Sequence, residues 1–172
     1  WDKTLAVDGI KTGHVSEVGY NLVASATGPD NMRLISVVIG SGSEAQRAEE
    51  SKKLLTYGFR FYQNVTPYKQ GAELATQRIW MGDKSEIKLG TDRDISLVIP
   101  RNSSGKLKAD FQLKNELNAP IKKGEQVGTI FLKLDGKDVA QYPLVALEEV
   151  NEGSLFSRLW DYLVLLFQRL LS

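Results

Sequence analysis

Between Ile95 and Val145 the chain breaks into short apolar runs fenced by turn residues, and this pattern limits its fold more than any other feature. Ile95 to Ile99 reads Ile-Ser-Leu-Val-Ile, and Leu107 to Leu113 alternates apolar with polar. Val127 to Leu134 and Val139 to Val145 flank Asp135-Gly136. Alternation with period two puts successive side chains on opposite faces of a strand, where a helix would repeat every 3.6 residues. Asp-Gly between two apolar runs supplies the left-handed backbone that a tight hairpin needs. Pro120 to Gly124 reads as a further turn. Regular short strands of this kind predict an all-β, sandwich-like domain or a small barrel.

On the N-terminal side the pattern differs. Tyr20 to Ala26 and Met32 to Ile39 read as strands joined by the turn residues Gly28-Pro29-Asp30-Asn31, and so short a connection predicts an antiparallel hairpin. Leu5 to Lys11 can supply a third strand. Ser43, with Gln46 three residues on, forms a capping-box signal, so Glu44 to Phe61 reads as a helix. Ala48, Leu54, Leu55, Phe59 and Tyr62 share one face of it at helical spacing.

The last stretch, from Leu155, has a third character. Its polar residues Ser157, Arg158, Asp161, Gln168, Arg169 and Ser172 fall on one narrow strip at helical spacing, and the rest of the circumference is apolar. A bilayer span takes roughly 20 mostly apolar residues, and this segment is shorter, with Arg158 and Asp161 in its first third. It is expected to lie in a membrane surface with Leu155, Phe156, Leu159, Trp160, Leu163 and Phe167 toward lipid. A terminal helix docked on its own domain, or buried between two copies, is the other reading. A small β domain covers only one side of so wide an apolar arc. The zones therefore divide as 1–63, 64–150 and 151–172.

Composition closes off several function classes. There are no cysteines, which removes thiol catalysis, thiolate metal sites and disulfides. His14 is the single histidine, so the common zinc constellations are out and no metal or cofactor is expected. The net charge is +1, and no basic stripe with interleaved aromatics occurs, so no nucleic acid partner is expected. The chain opens on Trp1 with neither a basic nor an apolar leader, and the expectation is that its N-terminus belongs to a longer parent.

The chemistry sits in Lys11-Thr12-Gly13, at the end of the strand-like approach Leu5-Ala6-Val7-Asp8-Gly9-Ile10. A triplet recurs by chance, and alone it would be a strand end with a solvated lysine. Its surroundings are specific: Val7 to Ala26, then Arg33-Leu34-Ile35-Ser36, then Glu50-Ser51-Lys52-Lys53-Leu54-Leu55 with Gly58-Phe59-Arg60-Phe61, and Pro143-Leu144-Val145 further on. On these residues the chain resembles the low-molecular-mass penicillin-binding proteins of the D-alanyl-D-alanine carboxypeptidase type, over essentially its whole length. The resemblance implies an α+β fold. An incomplete serine β-lactamase/transpeptidase-like domain of antiparallel strands plus a helix would come first. A β-rich domain and an amphipathic anchor on the periplasmic face of the bacterial inner membrane would follow.

It also implies roles. The substrate would be a peptidoglycan stem peptide ending in D-Ala-D-Ala, with β-lactams as ligands of the complete protein. Such a peptide can pair with the free edge of the motif strand, and Gly13 lets it approach without a Cβ in the way. Thr12 would offer its hydroxyl to the terminal carboxylate. Lys11 would place a cation at the catalytic serine, and the His14 N–H would be one oxyanion donor. Arg47 would hold the ligand carboxylate, as guanidinium does bidentately; its other reading is a solvated helix residue paired with Glu50 or Ser51. Against the three-motif signature of this superfamily, no Ser-x-Asn occurs. The two Ser-x-x-Lys matches, Ser85 to Lys88 and Ser103 to Lys106, follow the triplet and lie in the β zone. The nucleophile is therefore expected outside these residues, and the chain alone is expected to be inactive. A non-catalytic membrane-associated β module is the alternative. A class A β-lactamase is disfavoured, since those enzymes carry neither β domain nor anchor.

Overall fold

The computed structural model describes residues 5–171, with side chains as far as Phe167. The chain forms two compact units. The first takes 1–65 and 97–105, and the second takes 66–96 and 106–172. The chain crosses between them inside β4 (Tyr62–Tyr68) and β7 (Ile95–Pro100), which pair with each other.

In the first unit β1 (Ala6–Val15), β2 (Gly19–Thr27) and β3 (Arg33–Ser41) form an antiparallel sheet in that order. The hairpin expected around Gly28-Pro29-Asp30-Asn31 is present. Asp30 and Asn31 take positive φ there, and Gly28 donates its N–H to the Met32 carbonyl at 2.8 Å. The third strand runs four residues further than Leu5 to Lys11, so the triplet lies inside β1.

α1 (Glu44–Phe61) crosses one face of this sheet. Ser43 caps it by accepting the Gln46 N–H at 3.1 Å. Gln46 returns its side-chain oxygen to Gly42 N–H, one residue before the expected box partner. The buried face also differs from the expected one: Leu54 and Tyr62 are exposed, and Arg47, Ser51 and Leu55 are buried. The reason is close packing. A Cβ on Gly58 would sit 2.3 Å from Leu34 Cδ1, and one on Gly28 would sit 2.4 Å from the Phe59 ring. At so short a separation small residues hold the middle of the interface, and Ser36 and Ser51 share a buried hydrogen bond of 2.6 Å. Leu22, Ala24, Ala26 and Leu55 make the core.

Among the described residues, no element of this unit covers the other face of the sheet. Ile35, Val37 and Ile39 are 62%, 57% and 70% exposed along β3, which is the terminal strand of its sheet.

The second unit is built on one five-stranded antiparallel sheet. It contains β5 (Glu73–Arg78), β6 (Glu86–Gly90), β8 (Leu107–Leu113), β9 (Gln126–Leu134) and β10 (Lys137–Ala146), ordered β5-β6-β10-β9-β8. Asp135 and Gly136, both at positive φ, turn β9 into β10 as their residue types require. Pro143 is tolerated because β10 pairs with β9 along its length but with β6 only at Val145 and Ala146. Ile87, Leu89, Ile130, Leu132 and Leu144 are buried. β4, β5 and β6 were not foreseen from sequence.

α2 (Leu155–Leu171) is the last element. Of its residues with described side chains, Leu165 is buried and Arg158, Asp161 and Val164 are half-buried, so the helix docks along a side that includes Asp161 of its polar strip. Leu155, Phe156, Leu159, Trp160, Leu163 and Phe167 are all exposed, Phe156 by 86%. Gln168, Arg169 and Ser172 lie outside the described side chains. Among the described residues no helix is long and apolar enough to cross a membrane.

Candidate functional site

Lys11, Thr12 and Gly13 face Val23, Leu22 and Asn21 in the β1–β2 ladder. β1 is the other terminal strand of the sheet, so its far edge has no partner strand among the described residues. The pleat divides the triplet between the two faces. Thr12 shares Leu22's side and opens into a cleft of about 390 Å3 between β1 and α1, where Val7, Arg47 and Ala48 are further walls. Lys11 is exposed on the other side of the pleat, and it lines a second, smaller groove along β1 together with Gly9, Ile10 and Thr12. A Cβ on Gly13 would meet no atom of the chain within 4 Å. Packing within the chain therefore does not demand glycine there, and the space is open.

Arg47 is 8% exposed and reaches the triplet from behind. Its Nη1 donates to the Gly13 carbonyl at 3.1 Å and to the Asn21 carbonyl at 3.5 Å, and its Nη2 pairs with Glu44 at 3.2 Å. The guanidinium lies 5.5 Å from the Tyr20 ring centre, and His14, directly across the ladder from Tyr20, stacks on that ring at 4.2 Å. His14, Tyr20 and Arg47 thus form a column at the end of the β1–β2 hairpin. The reading of Arg47 as a solvated residue paired with Glu50 or Ser51 is overturned. It is buried, and Ser51's hydroxyl belongs to Ser36.

Sequence reasoning brought Lys11, Thr12, Gly13, His14 and Arg47 into one region but missed Tyr20, Asn21 and Glu44. Counting back from the Gly19 turn would have set Tyr20 opposite His14. Glu44, one helical turn before Arg47, is a standard ion-pair spacing. Asn21 gave no signal, because its part is played by a backbone carbonyl.

On the uncovered face Arg33 grips Asp8 with both guanidinium arms and also donates to Ser25, joining β1 to β3 across β2. This holds the Asp8 carboxyl below its ordinary range, chiefly through the Arg33 hydrogen bond.

Neither Ser-x-x-Lys match sits at the start of an α-helix. Ser85 precedes β6, whose Lys88 pairs with Glu73 at 2.9 Å. Ser103 directly precedes a single 3-10 turn, Ser104–Lys106, whose Lys106 pairs with Asp135. No group of three or more metal-ligating side chains occurs among the described residues.

Two family models match the chain. The C-terminal domain of penicillin-binding protein 5 matches residues 62–152, and D-alanyl-D-alanine carboxypeptidase matches residues 1–43. The chain is 51% identical over 170 residues to D-alanyl-D-alanine carboxypeptidase DacC of Escherichia coli (strain K12), covering 98% of itself and 42% of that protein. It is 46% identical over 173 residues to DacA of Haemophilus influenzae, covering all of itself and 44% of that protein. Among solved structures, penicillin binding protein 5 from Haemophilus influenzae matches with a TM-score of 0.79 at 46% identity, over 88% of this chain and 44% of that one. The chain spans somewhat over two fifths of the length of these relatives.

Proposed function

Because the chain belongs to the family of the penicillin-binding protein 5 C-terminal domain, here preceded by a carboxypeptidase segment, we propose that it supplies the substrate-edge half of a serine D-Ala-D-Ala carboxypeptidase. The observation that carries this reading is the open edge of β1, with the Gly13 carbonyl held by a buried arginine. A stem peptide ending in D-Ala-D-Ala extends along that edge. Its terminal carboxylate meets the Thr12 hydroxyl and the cation of Arg47, where Glu44 is the carboxylate now in place. A serine outside these residues attacks the penultimate D-Ala carbonyl, and the oxyanion is stabilised by the His14 N–H. The peptide C–N bond breaks and D-Ala leaves. Water then hydrolyses the serine ester. Lys11's ammonium favours both the ionised nucleophile and the developing negative charge, and loss of an oxyanion donor such as the His14 N–H typically costs about 10²–10³ in turnover. β-Lactams would acylate the same serine in the complete protein.

The test separates edge from nucleophile. Fluorescent penicillin should leave this 172-residue chain unlabelled, and covalent labelling would overturn the placement of the serine. An N-acyl-D-Ala-D-Ala peptide should shift the NMR signals of the Lys11 to His14 amides, and an amide-capped peptide should do so less. Equal or absent shifts with both would remove the edge assignment.

The exposed apolar arc of α2 favours a second reading of the other unit, as a β module held peripherally on the periplasmic face of the inner membrane. Leu155, Phe156, Leu159, Trp160, Leu163 and Phe167 present a continuous apolar surface that water does not favour. The chain should co-sediment with liposomes, and a chain lacking residues 152–172 should not. Equal binding by both would sink the anchor.

A further inference from the structure

A helix that only tethers a domain to lipid needs no fixed angle to it, yet α2 is locked at its base. Asp161 is a polar residue in the middle of this apolar helix, and its side chain is only 17% exposed. Its Oδ2 accepts the Met81 backbone N–H at 2.7 Å, and its Oδ1 lies 3.5 Å from Arg78, whose guanidinium stacks 3.9 Å from the Trp80 ring centre. Met81 reaches this position in the left-handed conformation, φ 61°, which a residue with a side chain adopts only at a cost.

The approach to the helix has no slack either. Gly82 bridges Glu152, and Gly153 donates to the Met81 carbonyl at 2.8 Å. A Cβ on Gly153 would lie 2.3 Å from the Gly82 carbonyl oxygen, and one on Gly82 would lie 2.8 Å from Val150. Asp83 and Asn151 are hydrogen-bonded both ways across the same junction. The β5–β6 connection and the entry to α2 are therefore one tight body, and Leu165 is buried further along the helix.

We propose that Asp161 is a positioning residue that makes α2 a rigid handle, so that a lipid surface gripped by the outer arc of α2 holds the second unit at one fixed orientation. This rests on the membrane-surface reading of α2. The apolar arc and the locking carboxylate lie on opposite sides of one helix, so binding and orientation are separable by substitution.

The experiment uses the full chain on supported bilayers of phosphatidylethanolamine and phosphatidylglycerol, with vesicles of the same lipids for sedimentation. Polarised infrared dichroism of the β-strand amide band reads orientation, and sedimentation reads affinity. Wild type should sediment and show dichroism. Asp161→Ala should sediment within about twofold of wild type, because the apolar arc is intact, while its dichroism falls toward the isotropic value. Hydrogen exchange at the Met81 amide should rise about tenfold or more as its acceptor is lost. A second variant, Asp161→Asn, keeps an acceptor oxygen for the Met81 N–H and should retain the dichroism. Wild-type dichroism in Asp161→Ala overturns the handle while leaving the anchor standing. Failure of the wild type to sediment overturns both.

Discussion

Arg47 donates to the carbonyl oxygen of Gly13 at 3.1 Å, so a buried cation on α1 holds the motif strand from the helix-covered face of the sheet. The same guanidinium spans to Asn21 on β2 and Glu44 on its own helix. A residue expected to meet the ligand is thus also a fastener of the strand that the ligand would pair with.

Arg47→Ala should destabilise the chain by about 2 kcal/mol, since two carbonyls lose a charged donor in a largely buried position. Arg47→Lys should recover only part of this, because an ammonium cannot reproduce the guanidinium fork. Urea midpoints measure the effect. An unchanged midpoint for the alanine variant would mean that the contacts to Gly13 and Asn21 contribute nothing.

Ser36 and Ser51 should behave as a unit. Removing either hydroxyl leaves the other unsatisfied in the interior and should cost about 1–3 kcal/mol, while removing both should cost less than the sum of the single changes. A double-mutant cycle on Ser36→Ala and Ser51→Ala reads the coupling. Strict additivity would contradict the shared hydrogen bond.

Asp8 gives the first unit an acid-sensitive clamp. Arg33 favours the ionised carboxyl in the folded chain, so its folded pKa lies below the unfolded one. The stabilisation is then present above the unfolded carboxylate value and is lost as pH falls in acid through the lower, folded one. Asp8→Asn should be less stable than wild type at neutral pH, and the two should converge in acid. Parallel urea-midpoint curves against pH would exclude the clamp.

Gly58→Ala places a methyl against Leu34 and should cost about 1–3 kcal/mol by overpacking. Adding Leu34→Val, which withdraws bulk from the same spot, should return part of the loss. If thermal unfolding shows the double variant to be worse than the sum of the two, steric conflict is not the cause.

The elements legible in the sequence were those whose signal is local. Ser43 with Gln46 marked the start of α1, Gly28 to Asn31 marked one hairpin, and Asp135-Gly136 marked the other. β8 was bounded as it stands because its alternation is undisturbed from Leu107 to Leu113. β4, β5 and β6 were missed because polar residues interrupt them and long-range pairing specifies them. β6, for instance, finds its place in the sheet through Leu89 and Gly90, which pair with Ala146 and Val145 of β10. The buried face of α1 was misjudged for a related reason. Hydrophobic spacing points to Leu54, but the helix approaches the sheet through glycine and serine, which carry no apolar signal. In the candidate site the triplet and Arg47 were visible as residue types. The bonds that join them run to backbone carbonyls, which no side-chain pattern reveals.

The bare side of the β1–β3 sheet has a practical consequence. A terminal strand showing Ile35, Val37 and Ile39 to water, with no partner strand on its own backbone edge among the described residues, is a template for whatever extended chain arrives first. With a net charge of +1 there is little long-range repulsion to keep copies apart. Concentrated solutions should therefore grow particles whose size falls again when a lysine replaces Val37.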